Sequence, residues 1–210
     1  MNFSFTKAAL LVAITFIVCG CGLSKKAKNT TTDAFTVEQM IKNYEDNLEG
    51  IQGVIEYAAN SLNDHCGLQL ILNQSGISEF YVNSFMWLGT DNPKQADFDK
   101  LMPLVGLTQE GLDTIVAKLR SVNCLSVELM KSGSQFAKVL YWENDACRYY
   151  YHIYYEPLTD AELTEMTKEM DYCIPYNNKM FLEHNPKQKN ADATFPERDI
   201  YMKDLHLPKR

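Results

Sequence analysis

Positive charge is what this chain is shortest of. Its 20 Lys and Arg face 27 Asp and Glu, for a net charge of −7, whereas a nucleic-acid binder needs clustered cations to displace phosphate counterions. No nucleic acid is expected as a partner. The one basic cluster, Lys25, Lys26 and Lys28, sits in a polar stretch and reads as a solvated linker or as a weak attraction to anionic head groups. Long apolar runs are lacking as well. Ala8 to Val18 is apolar except for Thr15, about half of the roughly 20 residues a membrane-crossing helix requires. A Gly-rich phosphate loop, a His-Glu-x-x-His helix and a Gly-x-Ser-x-Gly turn are all missing, which removes the enzyme classes built on them. The cysteines lack the paired short spacings of a zinc site, and Asp91, Asp97 and Asp99 lack the frame of a calcium loop. No cofactor is expected.

What the chain does carry near its amino terminus is an address. Met1 to Lys7 holds one positive charge, the short apolar run follows, and Val18-Cys19-Gly20-Cys21 closes it, in the order of a secretory leader. These four residues resemble the lipobox of bacterial lipoproteins, an aliphatic residue and a small residue ahead of the acceptor cysteine. The resemblance implies cleavage after Gly20, lipid attachment at Cys21 and a membrane contact made through the lipid anchor. Gly22 behind the cysteine, rather than Asp, implies sorting to the outer membrane, with the leaflet undetermined. Ordinary secretion would cut at the same bond, because Val18 and Gly20 also suit a general signal peptidase. The expected organisation is a signal peptide over 1–20, a lipidated tether over 21–34 and a body over 35–210. The resemblance covers residues 1–21, and the body resembles no family.

Within the body, three segments open alike: Phe35-Thr36 with Met40, Leu107-Thr108 with Leu112, and Leu158-Thr159 with Leu163. Each predicts a helix start, with Thr as N-cap and the flanking apolar residues as a staple. Gln39 and Glu162 complete capping boxes, while Gly111 leaves the second one open. After the first cap, Val37, Ile41, Tyr44, Leu48, Ile51, Ile55, Ala58 and Leu62 predict one long helix with an unbroken apolar stripe. After the helices come alternating segments: Leu68 to Asn73 and Ile77 to Phe85, then Leu125 to Met130 and Phe136 to Trp142, then Cys147 to Glu156. Leu68, Leu70 and Leu72 overlay Leu125, Val127 and Leu129, and Ser75-Gly76 overlays Ser132-Gly133. This suggests a helix-strand-strand unit used twice, over 35–90 and 107–184. The expected fold class is α+β, an antiparallel sheet with three capped helices mainly on one face.

Candidate chemistry is sparse. With Cys19 removed and Cys21 lipidated, Cys66, Cys124, Cys147 and Cys173 remain, as buried thiols or in any of three full disulfide pairings. His65 and Cys66 are neighbours and do not form a catalytic pair, but a later cysteine with His152 or His184 would be a hydrolase constellation. His152, Glu156, Glu183 and His184 have residue types that suit zinc without its spacing. The strand from Cys147 to Glu156 puts Arg148, Tyr150, His152 and Tyr154 on one face, a mixture suited to a sugar or peptide ligand or to cross-strand packing. The expectation is a non-catalytic binding or assembly module at the cell envelope, its partner an envelope protein, a peptide or a saccharide. The alternatives are a Cys/His hydrolase and a partner-binding role for the long first helix.

Overall fold

The computed structural model describes residues 35–188, 191–196 and 198–204; the leader, Cys21 and the tether lie outside them. In chain order the elements are α1 (Val37–Asn60), β1 (Gly67–Asn73), β2 (Gly76–Asn83), β3 (Trp87–Asp91), α2 (Gln95–Leu101), a 3-10 turn (Met102–Val105), α3 (Gln109–Ser121), β4 (Ser126–Met130), β5 (Phe136–Glu143), β6 (Cys147–Tyr154), α4 (Asp160–Glu169), β7 (Cys173–Pro175), β8 (Met180–Pro186) and α5 (Arg198–Asp204). The eight strands form one antiparallel sheet in the order β3-β2-β1-β4-β5-β6-β8-β7. The fold is α+β.

All three threonine caps form. Thr36, Thr108 and Thr159 each accept from the backbone N–H three residues on, and Gln39 and Glu162 close the two expected boxes. The stripe of α1 is interrupted, however. Asn47 departs from helical geometry at φ −126°, and Leu48 turns to solvent. The Asn47 side chain donates to the Asn43 carbonyl at 3.0 Å, a local bond that competes with the helical ladder. Beyond the kink the buried positions resume at Ile51, Val54, Ile55 and Ala58. Gly50 lies against α3: a Cβ there would stand 2.5 Å from Val122 Cγ1. The stripe of α1 is thus occupied by α3 and the sheet.

The two expected units meet at the middle of the sheet. The span 35–90 holds α1, β1, β2 and most of β3, the span 107–184 holds α3, β4, β5, β6, α4, β7 and most of β8, and their first strands pair antiparallel. Leu68 opposes Leu129, and Leu72 N–H donates to Leu125 C=O at 2.7 Å. Each unit also enters its first strand through a left-handed residue, His65 (φ 63°) or Asn123 (φ 54°), followed by a buried cysteine, Cys66 or Cys124. β8 and then β7 extend the sheet beyond β6. The main core lies between α1, α3 and one face of the sheet. α4 packs on the other face, its Leu163 against Tyr154, Cys173 and Phe181. β3 and α2 form in the segment holding Asp91, Asp97 and Asp99, for which the sequence predicts neither helix nor strand.

Thr159→Ala is expected to destabilise the body by about 1 kcal/mol through loss of the α4 cap. An unchanged chemical-denaturation midpoint would show that α4 does not depend on it.

Candidate functional site

The face of the sheet opposite α1 and α3 carries a row of buried and half-buried ionisable groups. Antiparallel register sets Glu128 beside Lys138 and Lys138 beside His152, while Glu183 on β8 opposes both Tyr150 on β6 and Cys173 on β7. Because partners in register share a face, all of these side chains converge. Lys138 Nζ lies 2.9 Å from Glu183 Oε1, and His152 Nδ1 lies 3.1 Å from Glu183 Oε2. His152, Glu183 and Cys173 are 4%, 2% and 1% exposed, so these are interior groups. Their ligand atoms all lie within 4.8 Å of one another. His152 packs against the rings of Phe136 and Tyr154, at centroid distances of 4.0 and 5.1 Å, the latter stacked. Its Nε2 is buried, and no partner reaches it among the described residues.

Burial and charge act in opposite directions here. Burial pushes the Glu183 carboxyl up, but the His152 hydrogen bond and the Lys138 charge outweigh it and hold the group below the usual carboxylate range. For Lys138, burial lowers the ammonium pKa, yet Glu183 and Glu128 leave it raised. Glu128 ends up raised, with burial ahead of the relief from Lys138. Burial, with Glu183 adding to it, pushes the Cys173 thiol well up, which keeps it protonated and therefore a poor nucleophile.

The four residues Arg148, Tyr150, His152 and Tyr154 do share this face, and they are built into the fold. Tyr150 packs on Ile71 and Leu140, and Tyr154 lies under α4 with its hydroxyl 3.4 Å from Met166 Sδ. Burial pushes both phenols up to about 12. Arg148 pairs with Glu143 on β5 at 3.0 Å and with Glu79 on β2. Of the residues with zinc-binding character, His152 and Glu183 meet. His184 sits on the opposite face against Tyr149 and Phe195, and Glu156 is exposed. Cys173 takes the place expected of them. The four body cysteines are free thiols. His65 is exposed while Cys66 points inward. Asp91, Asp97 and Asp99 engage Tyr81, the Lys94 backbone and Gln95 separately.

One surface feature went unread in the sequence. The turn from β2 into β3 carries Phe85, Met86, Trp87 and Leu88, and their exposures of 99%, 65%, 41% and 41% put four consecutive apolar residues in water. Such a run is a liability unless it is used. It adjoins β3, an edge of the sheet. No helix among the described residues is long and apolar enough to cross a membrane. No family model, curated protein or solved structure matches the chain.

Lys138→Met removes the cation that neutralises Glu183 in the interior, at an expected cost of about 3 kcal/mol at pH 7. In the wild type the Glu183 contribution is fully present above its unfolded pKa and fades as pH falls through the lowered folded value. In the variant an unpaired carboxylate takes up a proton more readily, so the gap between the two proteins should narrow on acidification. Urea midpoints from pH 7 to pH 4 measure this, and a gap that stays constant would contradict the buried pairing.

Proposed function

We propose that the chain is a lipid-anchored module of the cell envelope that works by binding a partner protein rather than by catalysis. The observation that carries this reading is the exposed run Phe85 to Leu88 beside an edge strand, since an open edge offers backbone hydrogen bonds and apolar side chains offer anchors. The apolar turn lies at the end of the strands past the Asn83–Gly67–Met130 row. Against that exposed patch, the strand face of Arg148, Tyr150, His152 and Tyr154 is a weaker candidate for a peptide or saccharide, because its rings are buried.

The meeting of Cys173 with His152 favours a second reading, the Cys/His hydrolase. A thiol that is 1% exposed and held protonated by burial argues against it, because the thiolate is the nucleophile and it must reach substrate.

The test is a photoreactive residue in place of Met86, irradiated in intact cells, after intact mass has established a diacylglyceryl-modified amino terminus at Cys21. A discrete protein adduct is expected at position 86 and none from the same residue at Glu110 on the outer face of α3. Adducts to lipid alone, or none, would overturn the binding reading. A mature chain that keeps Met1, or an unmodified Cys21, would overturn the anchor.

A further inference from the structure

The geometry points to a binding site for one thiophilic divalent metal ion, of the zinc type, held by His152, Cys173 and Glu183. Two observations converge on it. The first is the donor set. An imidazole nitrogen, a thiol and a carboxylate within 4.8 Å of one another are the ligand types that zinc takes, and the sulfur disfavours magnesium and calcium. The second is the orphan nitrogen. His152 has one ring nitrogen beside Glu183 and the other buried without a partner among the described residues. Buried polar atoms are nearly always satisfied, and each exception calls for an explanation such as an ion. The ring is also held in place, stacked on Tyr154 and packed on Phe136. Binding would take Cys173 as the thiolate, the thiol proton leaving to solvent.

The three donors come from three adjacent strands, β6, β7 and β8. β7 is only three residues long and forms the sheet edge. An ion tied to Cys173 would fasten that edge to the body, so metal binding should read out as stability as well as spectroscopy. Because the site lies among buried side chains, it is independent of the exposed β2–β3 turn and of the partner proposed for it.

Cobalt(II) titrated into the metal-stripped, reduced full-length protein tests the site. One equivalent should produce the near-ultraviolet thiolate-to-cobalt absorption of a four-coordinate site, and zinc should displace it. Cys173→Ser should abolish the band, Cys147→Ser should leave it intact, and Glu183→Gln should weaken binding by at least about tenfold. Zinc should also raise the thermal midpoint of the wild type. No thiolate band in the folded wild type, or a band that survives Cys173→Ser, would overturn the assignment. If Cys173→Ser does not fold, the decision rests on the wild type: one equivalent of zinc must move the His152 imidazole nitrogen resonances, and unmoved resonances would overturn the site.

Discussion

A flat sheet would hold Arg148 and Glu79 four strand spacings apart, roughly 19 Å at 4.8 Å each, yet the two side chains form an ion pair. Between β2 and β6 stand β1, β4 and β5, so the contact exists only because the sheet curls over its own face. Two irregularities supply the bend. The β1–β2 register shifts at Ile71/Leu72 and the β5–β6 register at Leu140/Trp142, and β-bulges bend a strand and increase its twist. Ile71 and Leu140, the residues at those shifts, meet Tyr150 inside the curl as a small apolar cluster. Arg148 closes over this cluster, with Glu143 sharing its guanidinium and Lys187 sharing Glu143.

That closure turns what would be a solvent-washed sheet face into an interior. On an open face, Lys138 and Glu183 would be an ordinary surface pair worth little. Inside the curl and under α4, the same pair controls the ionisation of its neighbours, and Cys173 and His152 Nε2 are cut off from water. A protein that folds polar groups this deeply either satisfies them or uses them. Here the network is satisfied at Glu183 and incomplete at His152, and this asymmetry singles out the His152, Cys173 and Glu183 cluster. The exposed apolar run Phe85 to Leu88 lies elsewhere, at the start of β3.

Local features were legible in the sequence, and features made by strand order were not. The three threonine caps follow from neighbours within four residues and were readable directly. The kink at Asn47 turns on one side chain bonding to the preceding turn, which the periodic stripe concealed. Cys173 could not be placed beside His152 from spacing, because β8 rather than β7 follows β6 in the sheet and carries Glu183 between them. The buried state of Tyr150 depends on bulges that no periodicity marks. Phe85-Met86-Trp87-Leu88 stood in plain view as an apolar run, but its exposure follows from β3 being an edge, which is a property of the whole sheet.

A double-mutant cycle between Arg148→Met and Glu79→Gln, read as unfolding free energies, tests the curl of the sheet most directly. Glu143 and Lys187 are present in all four proteins, so their contributions cancel. Curling predicts a coupling of at least about 0.5 kcal/mol between two residues that neighbour each other only in the folded, bent sheet. Strictly additive effects would mean that β2 and β6 do not meet, and that the face carrying His152, Cys173 and Glu183 is open to water.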